Sequence, residues 1–295
     1  MSVQDSDIGT RAARAASGSA LIRRLRVEPL GLLGLLLVML ILFCGLTADW
    51  ITPYDPFKIN VPDKFLAPEL SHPMGTDNLG RDILSRVIKG SQVALIVGVT
   101  SIGIALVAGL ALGLVAGYGP RWLDNSLVLL FDTIYSFPTV MLGLAVITLL
   151  GPSLATLMLV VVVIQTPAYG RLVRTATLSV KNSEFILAER SMGASTARVL
   201  IRHILPNIVG PLIIIASMDI PSVITLEAGL SFLGLGIPPP APSWGRVLQE
   251  GYTHLRDAPW IVISGGIPLI LTTLGFTFLG EALRDIFDPK LRRMI

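Results

Sequence analysis

The sequence has 295 residues, of which 52% are hydrophobic and only 15% are charged, and its mean hydropathy is +0.72. That composition excludes an ordinary water-soluble domain and indicates a chain that lies in lipid. The formal net charge of +3 gives no support for nucleic-acid binding, and the single cysteine, Cys44, excludes intrachain disulfides and cysteine-based metal sites.

The first apolar run follows a polar N-terminal stretch. Residues 1–28 are rich in Ala, Ser and Arg and lack apolar periodicity, so we predict a cytoplasmic tail there. Residues 29–48 carry no charge, and a helix of about 20 residues crosses about 30 Å of lipid. We therefore predict the first transmembrane helix at 29–48. A cleaved signal peptide is the alternative, but the run is long for one and lacks an A-x-A-like cleavage site.

Five further apolar stretches predict five more transmembrane helices. They lie at about 92–117, 126–150, 154–169, 208–230 and 260–279. Pro and Gly recur within them, and a membrane bundle tolerates both because neighbouring helices satisfy the freed backbone groups. The predicted organisation is an extracytoplasmic loop at 49–91, a five-helix core at 92–282 that includes a cytoplasmic loop at 171–207, and a cytoplasmic tail at 283–295.

The distribution of Arg and Lys sets the predicted orientation. If the N-terminus is cytoplasmic, the inside segments hold 16 basic residues and the outside loops hold 7. Cytoplasmic loops of membrane proteins carry an excess of Lys and Arg. Both termini are therefore predicted to be cytoplasmic.

Three glycines at four-residue spacing form a ridge on the second predicted helix. They are Gly109, Gly113 and Gly117. Small residues at this spacing let another backbone approach closely, so we predict a helix-packing surface. A partner helix within the same chain is favoured over one in another chain.

Motifs for catalysis and nucleotide binding do not occur in the sequence. There is no G-x-x-x-x-G-K-[ST] loop, so any ATP that drives the protein must bind to another chain. His72, His203 and His254 fall in three separate predicted loops, which disfavours a histidine metal site. No nucleophile elbow or H-E-x-x-H motif occurs either, so we do not predict an enzyme.

Three carboxylates, Asp132, Asp219 and Glu227, lie within predicted transmembrane helices. Burying a charge in lipid is costly, so such residues usually face the bundle interior and mark a pathway or a pairing. Asp132 and Glu227 are interpreted mainly as paired interior groups. Asp219, which precedes Pro221, is equally compatible with lining a pathway and with capping a broken turn. Asp219 and Glu227 are the possible pathway residues, and a proton-coupled secondary transporter that uses them as relays is the main alternative function.

The predicted cytoplasmic loop carries a spaced motif. The segment 187–189 reads Leu-Ala-Glu, Gly193 follows after three residues, and His-Ile-Leu-Pro at 203–206 follows after nine more. This spacing resembles the EAA loop of ATP-binding-cassette (ABC) importer permeases, whose pattern is E-A-A, x3, G, x9, I-x-L-P. The sequence departs from that pattern at Leu187, Glu189 and His203, while other residues of the loop fit the peptide-permease branch.

The resemblance implies that this loop docks on an ATPase subunit through a short coupling helix. Ser183 offers an N-cap hydroxyl for a helix that starts at Glu184, and Gly193 is placed to end or kink it. Small residues allow close approach, and charged residues add hydrogen bonds at the rim. A helix lying on the membrane interface is the alternative. The implied ATPase-coupling residues are Phe185, Ala188, Glu189, Arg190, Gly193, Ala194, Leu205 and Pro206.

Three other segments resemble the C-type permeases of dipeptide, oligopeptide and nickel importers. They are the G-T-D-x-x-G-R-D-x-x-S-R region at 75–86, the L-S-F-L-G-L-G and Pro-rich segment at 230–245, and the L-G-E-x-L-R-D segment within 279–290. In that family the extracytoplasmic loops receive a substrate-binding protein, which implies partner contacts at Arg81, Asp82 and Trp244. Anchoring at the membrane interface is an equal alternative for the aromatic groups in these loops.

The predicted fold is an all-α integral membrane protein with six transmembrane helices, the type I ABC importer permease fold and cytoplasmic N and C termini. The resemblance implies a multi-pass inner-membrane protein that imports di- or oligopeptides by alternating access. The implied partners are a homologous B-type permease, two ATP-binding cassette domains that bind ATP and Mg, an extracytoplasmic substrate-binding protein and lipid. No cofactor is expected in this chain. The alternatives are the proton-coupled transporter, the nickel or other-solute branch of the family, and a structural membrane scaffold.

Overall fold

The computed structural model describes residues 29–287, and the regular structure in this range is helical. The predicted N-terminal tail and the last part of the predicted C-terminal tail, at 288–295, lie outside the described residues. The helices are α1 (Pro29–Ile51), α2 (Ile83–Tyr118), α3 (Arg121–Tyr135), α4 (Thr139–Leu150), α5 (Leu154–Lys181), α6 (Glu184–Ser191), α7 (Thr196–Phe232), α8 (Trp244–Thr253) and α9 (Trp260–Phe287). Helix α2 contains a π-helical turn at Ile96–Thr100, and α7 contains one at Leu200–Ile204.

Five of these helices, α1, α2, α5, α7 and α9, are long and apolar enough to cross a membrane. Helices α3 and α4 occupy the third predicted span and meet at an angle of 90°. The break falls at 136–138, because Pro138 has no N–H to donate and its ring disfavours a helical backbone at Phe137. The prediction of one continuous helix over 126–150 is therefore wrong.

Several helices extend beyond the apolar stretches that predicted them. Helix α2 begins at Ile83, where the Asp82 side chain accepts a hydrogen bond from the Ser85 N–H. Helix α5 continues to Lys181 and α7 begins at Thr196, so much of the predicted loop at 171–207 is helical. Hydropathy marks only the lipid-embedded part of a helix, whereas backbone hydrogen bonding continues into its polar ends.

The glycine ridge of α2 packs against α5 within this chain, as predicted. A Cβ atom at Gly113 would lie 2.5 Å from the Gly170 carbonyl oxygen, and one at Gly109 would lie 2.5 Å from the Tyr169 Cβ. Such distances leave no space for a side chain, so the two backbones touch along the ridge. This contact joins two of the long helices whose side chains pack around Ile186 of α6.

Replacing Gly113 with valine should force α2 and α5 apart and lower the free energy of unfolding by about 1–3 kcal/mol. Gly103→Val is the matched control, because a Cβ atom at Gly103 on the same helix would meet nothing within 4 Å. Thermal unfolding of the purified protein in detergent compares the two variants. Equal melting temperatures would contradict the close-packed ridge.

Helix α1 packs on α9, and its exposed side chains between residues 30 and 46 are apolar. A Cβ atom at Gly34 would lie 2.5 Å from the backbone nitrogen of Leu279, so glycine permits this contact. The exposed side chains of α1 include Leu33, Leu36, Met39, Leu40 and Phe43. A uniformly apolar face needs no partner other than lipid. Helix α1 therefore lies at the lipid-facing edge of the bundle.

Candidate functional site

Helix α6 ends at a left-handed glycine. Gly193 has a φ of +85°. The Gly193 N–H donates to the Arg190 carbonyl at 2.9 Å, and the Ala194 N–H donates to the Glu189 carbonyl at 3.0 Å. These two bonds form a Schellman motif, which satisfies the last helical carbonyls and turns the chain. The motif favours glycine because a Cβ atom makes this conformation costly. The prediction that Gly193 ends the helix is confirmed.

The start of α6 differs from the prediction. Ser183 occupies the N-cap position, but its hydroxyl accepts no hydrogen bond from the α6 backbone. Instead, the hydroxyl donates to the Val180 carbonyl at 2.6 Å. The predicted N-cap bond is therefore wrong, and Ser183 ties the helix start to the end of α5.

The inner side of α6 is clamped to three long helices. Ile186 is fully buried in the main apolar cluster, together with side chains of α2, α5 and α7. The Arg190 guanidinium lies 5.0 Å from the centroid of the Tyr118 ring at the end of α2. The Lys181 ammonium at the end of α5 donates to the Tyr118 carbonyl at 3.2 Å, and His203 of α7 lies 3.5 Å from the Glu189 carboxylate. A displacement of α6 therefore acts directly on α2, α5 and α7.

The α6 segment exposes three large apolar side chains, Phe185, Leu187 and Met192, which we call the apolar patch. Their exposed fractions are 49%, 52% and 76%. A Cβ atom at the neighbouring Gly193 would meet nothing within 4 Å, so the surface beside the patch is open. Exposed apolar side chains in a polar loop mark a contact with a protein or a membrane.

The predicted coupling residues differ in their exposure. Exposed members are Phe185, Ala188, Arg190, Gly193 and Pro206, and partly buried members are Glu189, Ala194 and Leu205. Sequence reasoning missed Leu187 and Met192. The signal that could have found them is the presence of two large apolar side chains on either side of Ala188 and Glu189 in an otherwise polar segment.

A second cluster lies where the loop at 52–82 meets α2 and α8. Its ion pairs join Asp77 of the loop to Arg86 of α2, and Arg86 to Glu250 of α8 at 2.6 Å and 3.0 Å. Arg81 bonds to Asp77 at 2.7 Å and to Glu250 at 3.3 Å. The Asp77 and Arg86 side chains are 0% and 2% exposed. We call these four residues the buried ion cluster.

Arg246 of α8 borders the buried ion cluster at 3.9 Å from Glu250. Burial lowers the pKa of the Arg246 guanidinium, and the Glu250 carboxylate opposes that shift. An arginine nevertheless keeps its proton at physiological pH. The buried ion cluster together with Arg246 thus combines three cations with two carboxylates.

The three residues predicted to contact a binding protein lie inside this chain. Arg81 is 7% exposed, Asp82 is 3% exposed and Trp244 is 2% exposed. Asp82 accepts bonds from Ser85 at the start of α2, and His72 lies 2.9 Å from it. The Trp244 indole N–H donates to the Val87 carbonyl at 2.9 Å. Their predicted contact with a partner stays a prediction, and in this chain their side chains hold the loop, α2 and α8 together.

The three carboxylates within the helices have different surroundings. Asp219 accepts a hydrogen bond from the Tyr169 hydroxyl at 2.8 Å. Glu227 is 1% exposed and accepts one from the Ser231 hydroxyl at 2.6 Å. Asp132 pairs with Arg171 at 3.2 Å. The predicted pairing of Asp132 is therefore confirmed, but its side chain is 54% exposed in this chain, so its predicted place in the bundle interior is wrong.

Two family models match the sequence. Residues 109–293 match the family described as the binding-protein-dependent transport system inner membrane component. Residues 19–68 match the N-terminal transmembrane domain of oligopeptide transport permease C. The chain belongs to the binding-protein-dependent transport permeases. It is a multi-pass inner-membrane protein, and the resemblance found in its sequence is confirmed.

Permeases with known transport systems are similar over most of their length. The dipeptide transport system permease protein DppC of Alkalihalophilus pseudofirmus is 35% identical, with 92% of this chain and 89% of the relative covered. The di/tripeptide transport system permease protein DppC of Pseudomonas aeruginosa is 37% identical, with 88% of each chain covered. The glutathione transport system permease protein GsiD of Escherichia coli is 39% identical, with 92% and 89% covered.

Solved structures share the fold of this permease. A chain of the MetNI methionine ABC transporter in an inward-facing conformation aligns with a TM-score of 0.58 at 17% identity. The alignment covers 70% of this chain and 98% of the MetNI chain. The predicted ABC importer permease fold is therefore confirmed.

Proposed function

We propose that this permease is one membrane-spanning subunit of an ATP-driven importer that carries di- or oligopeptides across the inner membrane by alternating access. The family and the similar permeases, which are named for dipeptide, di/tripeptide and glutathione transport, support this assignment. We assign no covalent chemistry and no cofactor to the chain. Its contribution is to form one side of the path and to change shape.

The observation that carries the proposal is that α6 both exposes apolar side chains and contacts three long helices. Its outer side offers the apolar patch to a partner, and its inner side is clamped to α2, α5 and α7. A domain that docks on the patch and moves would therefore pull on three long helices at once. In the proposed complex this domain is one of two ATP-binding cassettes, which bind ATP and Mg, and both termini of the permease lie on the same, cytoplasmic side.

The buried ion cluster supports a second role at the other end of the permease. It fixes the loop at 52–82 to α8 through Glu250, which is 169 residues from Arg81 in the chain. Exposed side chains lie on this framework, among them Leu70 and Tyr252. We propose that this surface receives the extracytoplasmic substrate-binding protein, and that Arg81, Asp82 and Trp244 shape the surface from within. A homologous B-type permease completes the path.

The test is peptide uptake by proteoliposomes that contain this permease, a B-type permease and the ATPases, with binding protein outside. Uptake of a radiolabelled dipeptide should require ATP on the side of the membrane where the ATP-binding cassettes lie. It should persist when an uncoupler abolishes the proton gradient. Uptake that follows the proton gradient without ATP would favour the secondary transporter. ATP-driven uptake of nickel without uptake of peptide would assign the chain to the nickel branch.

A further inference from the structure

Two grooves lie one after the other along α5 and α7, and the larger one is also lined by Tyr135 of α3 and by Thr139 and Val140 of α4. The large groove has a volume of about 490 Å³, and Gln165, Ser222 and Thr225 contribute polar groups to its lining. The small groove has a volume of about 200 Å³, and Ser179 and Asn207 contribute polar groups to its lining. Both grooves are otherwise lined mainly by apolar side chains.

The two grooves lie on the same face of α7. Intervals of three, four and seven residues keep side chains on one side of a helix. The α7 residues that line the grooves follow this spacing: Asn207, Pro211, Ile215, Ser222, Leu226 and Gly229. On α5, Gln165 of the large groove and Leu172 and Ala176 of the small groove also fit it. The grooves are thus two parts of one track.

Helical spacing places the hydrogen-bonded pair of Tyr169 and Asp219 between the lining residues of the two grooves, although neither residue lines a groove itself. Asp219 fills the gap in the α7 spacing between Ile215 and Ser222, and Tyr169 fills the gap in α5 between Gln165 and Leu172. The Tyr169 hydroxyl donates to the Asp219 carboxylate at 2.8 Å. Tyr169 is 1% exposed, while Asp219 is partly exposed. The carboxylate therefore borders the track at the point where the large groove ends and the small groove begins.

No lysine, arginine or histidine in the described range 29–287 forms an ion pair with Asp219. Within a membrane, carboxylates face a partner charge or a polar pathway, because lipid solvates them poorly. The apolar exposed face of α1 shows what a lipid-facing surface of this chain looks like, and the α5–α7 track differs from it in carrying amide, hydroxyl and carboxylate groups.

We propose that the α5–α7 track is the surface along which cargo passes, and that the Asp219 carboxylate binds the ammonium group at the N-terminus of a peptide in transit. This rests on the function proposed above and names the group of the cargo that the permease recognises. An ammonium group is the complement that an unpaired carboxylate requires, and every di- or oligopeptide with a free N-terminus carries one. The apolar linings of the two grooves accept varied peptide side chains, because they carry no charge that would select one side chain over another.

The experiment compares two cargoes in the reconstituted importer: trialanine and N-acetyl-trialanine, each supplied as the same concentration of loaded binding protein. Asp219→Asn should lower trialanine uptake about tenfold, since a charge-assisted hydrogen bond is lost. The same variant should change N-acetyl-trialanine uptake less than about twofold. Acetylation has already removed the ammonium group, so the substitution removes no further contact and the two effects do not add. Asp219→Glu, which keeps the charge, should retain more trialanine uptake than Asp219→Asn.

Glu227→Gln is the matched control, because it makes the same chemical change on the same helix at a carboxylate that is only 1% exposed, whereas Asp219 is partly exposed. Any loss it causes should be equal for both cargoes. An equal loss of both cargoes in Asp219→Asn, no loss of either, or equal trialanine uptake by the Asn and Glu variants would overturn the proposal. A lower yield of the assembled complex would assign Asp219 to a contact with the B-type permease instead. Absence of trialanine uptake by the unmodified importer would contradict the proposed function itself.

Discussion

Replacing Asp77 with alanine should lower the free energy of unfolding by about 3–5 kcal/mol, because it leaves the buried guanidinium groups of Arg81 and Arg86 with Glu250 as the one remaining carboxylate of the buried ion cluster. Asp77 is fully buried and bonds to both Arg86 and Arg81. In water these guanidinium groups would be solvated, but here the protein interior replaces that water. Thermal unfolding of the purified permease in detergent measures the change, and the melting temperature should fall by several degrees.

Asp49→Ala is the control for Asp77→Ala. Asp49 pairs with Lys89, but its side chain is 63% exposed, so water and salt already screen the pair. Its removal should leave the melting temperature unchanged. If Asp77→Ala melted at the same temperature as Asp49→Ala, the buried ion cluster could not be what fixes the loop at 52–82 to α8.

Hydropathy predicted most of the transmembrane bundle because lipid leaves the backbone few choices. A segment in lipid must bond its own N–H and C=O groups, so each long apolar run predicts a helix. The predicted helix boundaries are wrong where hydropathy and backbone hydrogen bonding disagree. At Pro138 the hydropathy stays high while the backbone breaks, and at Arg171 the hydropathy falls while α5 continues to Lys181.

The buried ion cluster could not be predicted in the same way. Arg81 and Asp82 stand in a polar loop, where charged side chains are ordinarily solvated, so they were assigned to a partner. Their surroundings depend on Glu250, which no local pattern connects to them, since pairing across 169 residues is a property of the tertiary fold. Asp219 shows the same limit: its place in a predicted span before Pro221 is equally compatible with a pathway role and with capping a broken turn, and Tyr169 as its hydrogen-bond donor follows only from the tertiary packing.

The coupling helix was predicted from spacing in the sequence, and the structure adds the reason for its glycine. Gly193 stands at the one position of the Schellman motif that requires a positive φ. The EAA-like pattern therefore encodes a backbone conformation as well as a surface. Leu187 and Met192, which the pattern does not specify, complete that surface.

Gly193→Asp should abolish uptake by weakening the attachment of the ATPase. A side chain in the left-handed region costs about 1–2 kcal/mol, and the new carboxylate would stand beside the apolar patch, where a docked partner would have to desolvate it. Together we expect the affinity for the ATPase to fall by at least about tenfold, which corresponds to about 1.4 kcal/mol. Titration of the ATPase onto the permease in nanodiscs measures this affinity. Gly193→Asn should be milder, because asparagine tolerates a positive φ.

Gly151→Asp separates the docking effect from backbone strain. Gly151 has a φ of +84° and a ψ of 153°, and a Cβ atom there would meet nothing within 4 Å, so a side chain at Gly151 strains the backbone at least as much as one at Gly193. Gly151 lies between α4 and α5, away from the apolar patch of α6. Gly151→Asp should lose at least as much thermal stability as Gly193→Asp, yet only Gly193→Asp should lose ATPase affinity and uptake. If the two variants bound the ATPase equally well, α6 would not be the docking element, because a strained turn alone would then account for every effect of Gly193→Asp.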